Sequence, residues 1–85
     1  MVRNSELHPI GNTSKMIAAY VRLLIDGEGC TQEDIGKAIG RAQSYASLRI
    51  KGLKPWTVDE LEILAEKLWV ENAFVLVQNA QKVIG

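Results

Sequence analysis

Apolar residues recur along this chain at the spacing of α-helices. Between residues 12 and 29 they fall at i, i+3, i+4, i+7 and i+8, which predicts one apolar face on a first helix. Asn12 or Thr13 is placed to cap its N-terminus, and Gly27 and Gly29 are placed to end it. We expect this helix to be core scaffold. Its apolar face consists of Ile17, Tyr20, Val21, Leu24 and Ile25.

Two shorter helices are predicted between residues 31 and 52. Thr31 is placed to cap the second helix, because its hydroxyl can accept from the free N–H groups of the first turn. Gly40 suits the end of that helix, since glycine adopts the left-handed conformation without a steric penalty. A third helix follows from about residue 42 or 43 to residue 51, and Gly52 ends it. Two helices joined this closely are predicted to cross steeply, as in a helix-turn-helix.

A capping box and a second apolar stripe predict a fourth helix. Thr57 followed by Glu60 is the sequence signature of such a box. Trp56 is expected to pack at the start of this helix. The stripe consists of Leu61, Leu64, Ala65 and Leu68. A bundle of short helices is the fold that these stripes indicate.

The C-terminal segment, residues 71–85, allows two interpretations. As a helix it carries one apolar face, and as a strand it offers a short run, residues 73–78, that can pair across a two-fold axis. The period of 3.6 continues to Ile84, which favours the helix. Either structure leaves apolar surface that indicates a homodimer, although the same surface can instead cover the far side of the core. The helical face holds Ala73, Leu76, Val77, Ala80 and Ile84, and the candidate dimerisation residues are Phe74, Val75 and Val77.

Length and composition limit the chain to a single small domain. Its 85 residues are 47% hydrophobic and include only two prolines, which argues against disorder. Cys30 is the only cysteine, so neither an intramolecular disulfide nor a multi-cysteine metal site can form. No apolar run approaches the roughly 20 residues of a membrane span, and the N-terminus lacks a signal-peptide pattern. We therefore expect a cytoplasmic protein that does not bind membranes.

Residues 1–11 show no periodicity and contain Pro9 and Gly11, which predicts a flexible N-terminal arm. Arg3 lies in this arm, for which an unstructured tail is favoured over a contact of Arg3 with a nucleic acid. The single histidine, His8, is interpreted as a solvated side chain and not as a ligand or a base. The folded domain is therefore expected to begin near Asn12.

Charge is unevenly distributed along a neutral chain. Ten lysines and arginines balance ten acids. Residues 35–58 hold five cations and no acid, whereas acids lie before and after this segment. Because this positive segment coincides with the predicted helix pair, we favour a surface that contacts phosphates over an ordinary solvated surface. The five cations are Lys37, Arg41, Arg49, Lys51 and Lys54.

The segment from Thr31 to Gly52 carries the residue pattern of a known family. The motif residues are Gln32, Glu33, Gly36, Gly40, Gln43, Ser44 and Gly52. Pro55, Thr57 and residues 61–68 look like the family's following helix. Over about residues 12–70 the chain therefore resembles the DNA-binding domains of phage repressors and Cro, which are also called lambda-repressor-like or Xre-type domains. The resemblance implies an all-α, compact four- to five-helix bundle with the helix-turn-helix at helices 2 and 3.

Five positions depart from the family pattern. Gly36 stands where alanine is typical, and its small size is expected to let the two helices approach. Arg41 replaces an apolar turn residue, and Ala42 replaces the common serine cap. Arg49 occupies a position where an apolar residue often packs, and Trp69 stands where glycine is frequent. These departures bear on the register of the third helix in a DNA groove and not on its presence.

The third helix is predicted to be the DNA-reading element. Ala46 is expected to face inward and Ile50 to anchor the far end, which leaves a polar outer face. Glutamine and serine can pair with base edges, and an apolar side chain can contact a thymine methyl group. The predicted base-reading residues are Gln43, Ser44, Ser47 and Leu48. The predicted phosphate contacts, which include Gln32 on the basis of the resemblance, are Gln32, Lys37, Arg41, Tyr45, Arg49, Lys51 and Lys54.

These observations favour a sequence-specific transcriptional regulator that binds double-stranded DNA. A Cro-like or small repressor from a phage or prophage is expected to insert its third helix into the major groove of a near-palindromic operator, as a homodimer. The alternatives are a protein-interaction adaptor or an antitoxin that uses the same fold. The sequence shows no catalytic group, metal-ligand spacing or phosphate-binding glycine loop, so we expect no enzyme activity, no cofactor and no small-molecule effector.

Overall fold

The computed structural model describes residues 10–85. Most of the predicted N-terminal arm, with Arg3 and His8, lies outside the described residues. Among residues 10–85 the regular structure is entirely helical and contains no strand, which confirms the all-α prediction and the helical interpretation of the C-terminal segment. The five helices are α1 (Asn12–Glu28), α2 (Gln32–Ile39), α3 (Gln43–Ile50), α4 (Val58–Lys67) and α5 (Ala73–Val83).

Two predictions about the ends of α1 are wrong. Its N-cap is Gly11, which offers no side chain, and Asn12 is already the first helical residue. Gly27 lies inside the helix, and Gly29 alone ends it, with a left-handed φ of 69°. The amide of Gly29 donates to the carbonyl oxygen of Asp26, and the amide of Cys30 donates to that of Ile25. These bonds satisfy carbonyls that the end of a helix otherwise leaves free.

The predicted caps of α2 and α4 are confirmed, and both form reciprocal capping boxes. The Thr31 hydroxyl accepts from the amide of Asp34, whose carboxylate accepts from the Thr31 amide, both at 3.0 Å. At the start of α4 the Thr57 hydroxyl accepts from the Glu60 amide at 3.1 Å, and the Glu60 carboxylate accepts from the Thr57 amide at 2.9 Å. Each box satisfies amide donors of a first turn and fixes where the chain enters the helix.

One hydrophobic core joins all five helices. Helix α1 packs against α3 and α5, α4 packs against α2 and α5, and α2 packs against α3. The predicted stripe of α4 is fully buried, and Trp56 packs at its start as expected. The buried apolar residues are Ala18, Tyr20, Val21, Ile25, Ile35, Ala46, Ile50, Trp56, Leu61, Leu64, Ala65, Leu68, Ala73, Leu76 and Ala80.

The connection between α2 and α3 depends on two glycines. Gly40 ends α2 with a φ of 72°, a left-handed conformation that favours glycine. Gly36 lies buried where the chain folds back, and its carbonyl oxygen accepts from the Arg41 amide at 2.8 Å. A Cβ atom at Gly36 would lie 2.9 Å from the carbonyl oxygen of Arg41 and 3.3 Å from that of Ala42. The small size of Gly36 therefore lets the turn before α3 pass close to α2, and an alanine there would collide with the backbone of that turn.

The segment between α4 and α5 turns through an unusual residue. Trp69 has a φ of 64° and is the one non-glycine residue with a positive φ among residues 10–85. Its position is the one at which the resembled family often has glycine, and its side chain is 82% exposed. Two side chains cap the start of helix α5. The Asn72 side chain accepts from the Val75 amide at 2.9 Å, and Glu62 of α4 accepts from the Ala73 amide at 2.5 Å.

Candidate nucleic-acid interface

Helix α3 has an apolar inner face and a polar outer face. Ala46 is fully buried and Ile50 is 6% exposed, as expected for the residues that hold this helix against the core. Of the predicted base-reading residues, Gln43, Ser44 and Leu48 are exposed and Ser47 is half-buried. The outer face therefore presents amide, hydroxyl and aliphatic groups together, and it includes no acidic side chain.

Tyr45 lies at the centre of a cluster that the sequence did not predict. The carbon at the centre of the Arg49 guanidinium lies 3.4 Å from the centroid of the tyrosine ring, and that of Arg41 lies 4.1 Å from it. Two groups this close over one ring cannot share a face without overlapping, so the two guanidinium groups sandwich the ring. Arg49 Nη1 also donates to the Tyr45 carbonyl oxygen at 3.1 Å. Tyr45 and Arg49 lie four residues apart on one side of α3, while Arg41 reaches the ring from the turn before the helix.

Glu60 of α4 completes this cluster. The Tyr45 hydroxyl donates to Glu60 Oε2 at 2.5 Å, while Oε1 accepts from the Thr57 amide. Glu60 is only 8% exposed, and it is the one buried charged residue among residues 10–85. Because its second oxygen is bonded to α3, the same side chain caps α4 and fixes α3 against it.

The hydrogen bonds of Glu60 keep its carboxyl group ionised. Burial raises the pKa of this group, but the Thr57 amide, the Tyr45 hydroxyl, the Thr57 hydroxyl and the charge of Arg49 together outweigh burial. The net result is a pKa below the ordinary value for glutamate. Donors that bond the charged form of a buried acid act in this direction. At neutral pH the cluster therefore holds one negative charge beside two positive guanidinium groups.

The first turn of α2 is capped by its own side chains. The Thr31 amide and hydroxyl lower the pKa of the exposed Asp34 carboxyl below its usual range. Gln32, a predicted phosphate contact, is half-buried at the start of the helix. Lys37 is also a predicted phosphate contact. Its Nζ atom lies 3.6 Å from Glu33 Oε2 in an exposed ion pair. Such a pair contributes only about 0.3–0.5 kcal/mol, so Lys37 can exchange Glu33 for a phosphate at little cost.

The predicted phosphate contacts divide into two groups in the structure. Lys51, which is the C-cap of α3, and Lys54, in the loop after it, are exposed. Arg41 is also exposed, although it stacks on Tyr45. Tyr45 and Arg49, by contrast, are half-buried and bonded within the protein. The Arg49 Nε atom is buried and has no hydrogen-bond partner among residues 10–85.

Sequence reasoning missed the second role of Glu60. The residue was recognised as part of a local capping box, but its bond to Tyr45 joins positions 15 residues apart. No periodicity or motif encodes a contact that depends on how α3 lies against α4. The weak signal in the sequence is the i, i+4, i+8 spacing of Arg41, Tyr45 and Arg49, which can be recognised as a cation–aromatic series.

A separate apolar groove lies between α4 and α5. It has a volume of about 320 Å³ and is lined by Val58 and Leu61 from α4 and by Ala73, Phe74 and Val77 from α5, with Glu62 at its edge. Among the predicted dimerisation residues, Phe74 is 71% exposed, while Val75 and Val77 are half-buried. Val58, at the other side of the groove, is also 71% exposed. This groove is therefore an apolar surface that lies open to solvent.

The two surfaces differ in the chemistry that they can perform. The outer face of α3 can exchange hydrogen bonds with polar edges and is flanked by cations, whereas the groove can bury apolar groups. Among residues 10–85, no helix combines the length and apolar composition that crossing a membrane requires. Comparison of the chain with protein-family models, with curated proteins and with solved structures finds no match.

Proposed function

We propose that this protein is a sequence-specific DNA-binding regulator of transcription. Helices α2 and α3 act as a helix-turn-helix, and α3 enters the major groove of double-stranded DNA. In this role the protein is a Cro-like or small phage or prophage repressor of the bacterial cytoplasm. It acts by binding and not by catalysis, and the resembled repressor and Cro domains are the model for this function.

One observation carries the proposal: the outer face of α3 groups base-reading side chains in a cationic, acid-free segment. Gln43 and Ser44 are exposed in the first turn, and Leu48 lies one turn further on the same side. A glutamine can bond adenine at two atoms, and an aliphatic group can contact the thymine methyl. Exposed polar residues at the N-terminal end of a helix are what a recognition helix presents to base edges.

The contacts within the protein refine the set of phosphate-binding residues. Gln32, Lys37, Arg41, Lys51 and Lys54 keep the role assigned to them. Tyr45 and Arg49 are reassigned, because their hydrogen bonds to Glu60 and to the α3 backbone already hold them. In our proposal these two residues set the angle at which α3 enters the groove. Fixing the helix before binding reduces the entropy that association would otherwise cost.

We further propose that two copies bind as a homodimer through the α4–α5 groove. Phe74 and Val77 contribute apolar surface at its α5 side. Two recognition helices held by a dimer would lie about one DNA turn apart, roughly 10 base pairs, and would read a near-palindromic site. The neutral net charge supports this arrangement, because a single copy has little bulk electrostatic attraction for DNA.

The test begins with selection of an operator from random double-stranded oligonucleotides. Gln43→Ala is expected to weaken binding to the selected operator by about 1–3 kcal/mol and to relax base preference at one position. Binding to unrelated DNA is expected to change little. Fluorescence anisotropy with both kinds of duplex measures the two affinities.

Gln78→Ala is the matched control, because Gln78 is an exposed glutamine on α5 and is not among the proposed DNA-contacting residues. It is expected to leave both affinities unchanged. Equal losses on operator and unrelated DNA for Gln43→Ala would remove Gln43 from the base readers. Absence of any DNA binding by the unaltered protein at low salt would refute the proposed function.

A protein-interaction adaptor or antitoxin is the second candidate. The open apolar groove favours it, since the groove can bind a different protein as readily as a second copy. A mobility-shift assay against genomic fragments at two salt concentrations separates the candidates. Retention of all fragments as free DNA would favour the adaptor, and shifted fragments at low salt would favour the regulator.

A further inference from the structure

A basic pocket lies between α1 and the C-terminal end of α3. Its volume is about 270 Å³, which is room for several water molecules at about 30 Å³ each. Three cations and no acid line it, namely Lys15 and Arg22 from α1 and Lys51 from the end of α3. We refer to it as the α1–α3 pocket.

Small residues create the space in this pocket. Ala18 and Ala19 of α1 form part of its wall, and Gly52 adds no side chain. Gly52 has a φ of 80°, and a Cβ atom there would lie 3.8 Å from the Ala18 Cβ. The chain leaving α3 therefore passes close to α1. Lys15 and Arg22 lie seven residues apart, or about 10 Å along the helix, on the same side of α1.

Helix α3 ends beside this pocket, and its final turn is closed by backbone hydrogen bonds. Its last carbonyl oxygens already accept hydrogen bonds from backbone amides: that of Ser47 from Lys51, that of Leu48 from Leu53 and that of Arg49 from Gly52, at 2.9–3.1 Å. The Lys37–Glu33 contact is the one ion pair among residues 10–85, so none of the pocket's three cations forms an ion pair within this range. The pocket thus combines positive charge with space and lacks a competing anion from the described chain.

We propose that the α1–α3 pocket receives a phosphate group of the DNA backbone, which makes Lys15 and Arg22 contacts that α1 adds to the interface. This inference rests on the proposed DNA-binding function. Arginine can bond a phosphate through two parallel N–H groups, while lysine contributes a compact charge. Lys51 joins the pocket to α3, so a phosphate held here fixes the depth and the register of α3 in the groove.

The salt dependence of DNA binding tests this proposal. Affinity for a random-sequence duplex of roughly two helical turns is measured by fluorescence anisotropy over a series of salt concentrations. Each phosphate contact that is lost lowers the slope of log affinity against log salt by about 0.9. Arg22→Gln is expected to lower the slope by about this amount and to weaken binding several-fold at low salt. Lys15→Gln is expected to act in the same direction with a smaller change.

Lys82→Gln is the control, because it removes one positive charge from the exposed surface of α5. It is expected to leave the slope unchanged. An unchanged slope for Arg22→Gln, with normal binding by the unaltered protein, would overturn the pocket and leave the DNA-binding function standing. Equal reductions for Arg22→Gln and Lys82→Gln would also overturn it, as a general charge effect. Absence of binding by the unaltered protein would overturn both. Circular dichroism verifies that each variant is folded.

Discussion

Helices α3 and α5 pack in similar ways but present different surfaces to solvent. Helix α3 buries Ala46 and Ile50, and α5 buries two alanines and Leu76. The outer face of α3 carries Gln43, Ser44 and Leu48, whereas α5 exposes Phe74 beside an apolar groove. The difference teaches that α3, besides its buried residues, is held by polar contacts at Tyr45 and Arg49 and keeps a polar outer face. Helix α5 is held by the core and has an apolar surface to spare.

The largest expected effect concerns the turn that places α3. Gly36→Ala is expected to reduce the free energy of unfolding by about 2 kcal/mol, because a new Cβ would collide with the backbone carbonyl oxygens of Arg41 and Ala42. Chemical denaturation measures the change. The matched control is Gly27→Ala, which lies inside α1 with no atom within 4 Å of the new Cβ. The control is expected to stabilise the protein by up to about 1 kcal/mol through helix propensity. Similar effects of the two substitutions would contradict the steric explanation.

The next effect concerns the apolar surface of α5. Phe74→Ser is expected to weaken dimerisation by about 1–2 kcal/mol, or roughly tenfold, because a largely exposed aromatic ring is suited to be an interface anchor. Sedimentation equilibrium over a range of concentrations measures the dissociation constant. A point substitution is preferable to truncation before Glu71, since truncation would remove three buried core residues, Ala73, Leu76 and Ala80.

Leu23→Ser is the control for this prediction, because Leu23 is an exposed apolar residue on α1. It is expected to leave the dissociation constant unchanged. If Phe74→Ser and the unaltered protein have equal dissociation constants, the α4–α5 groove is not the dimer interface. A protein that is monomeric at all concentrations would lead to the same conclusion.

A smaller effect is expected from the hydrogen bond that joins α3 to α4. Tyr45→Phe is expected to lower the free energy of unfolding by about 1 kcal/mol at neutral pH, because Glu60 loses a donor while the ring remains between its two arginines. Tyr20→Phe removes a hydroxyl from the buried tyrosine of α1 and serves as the control. Denaturation of both variants measures the difference.

The Tyr45–Glu60 hydrogen bond also predicts that the free energy of unfolding depends on pH. The folded-state pKa of Glu60 is lowered, so its contribution to stability is complete above the ordinary glutamate pKa of about 4.3 and is lost as the pH falls toward the depressed value. Since the Tyr45 hydroxyl contributes to that depression, the stability difference between Tyr45→Phe and the unaltered protein is expected to shrink below about pH 4.3. A difference that stays constant down to pH 2 would show that the bond does not favour the ionised carboxylate.

The smallest expected effect is a gain in stability. Trp69→Gly is expected to raise the free energy of unfolding by about 0.5–1 kcal/mol, because glycine adopts the positive φ of this position without strain and the tryptophan ring is mostly exposed. Trp69→Ala keeps the backbone strain and is expected to give no such gain. Thermal unfolding of both variants provides the comparison, and equal melting temperatures would contradict the assignment of strain to Trp69.

Local patterns predicted most of the helices, because the interactions that start and stop them are local. The boxes at Thr31 and Thr57 and the left-handed turn at Gly40 each involve residues within one helical turn. The predicted start of α1 was wrong. Asn12 and Thr13 offer side chains that can cap a helix, but the N-cap is Gly11, which has an extended backbone and makes no side-chain hydrogen bond.

Sequence could predict the composition of the α3 outer face but not what holds α3 in place. The exposed positions of Gln43 and Ser44 follow from helical periodicity once Ala46 is assigned to the core. The Tyr45–Glu60 bond requires the relative position of two helices, which periodicity does not contain. For the same reason, Lys15 and Arg22 could be placed off the apolar stripe of α1 but not beside Lys51. Contacts between side chains of different helices therefore could not be predicted from the sequence.

The two tryptophans of this chain lie in very different surroundings. Trp56 is 8% exposed and packs in the core, whereas Trp69 is 82% exposed at the turn before α5. Indole emission shifts to shorter wavelength in an apolar environment, so the two rings should give separable fluorescence signals. Trp56 would report unfolding of the core, while Trp69 would report quenching by solvent and by anything that covers the turn. The protein thus carries two intrinsic optical probes, and single replacements of either ring would assign each signal without an added dye.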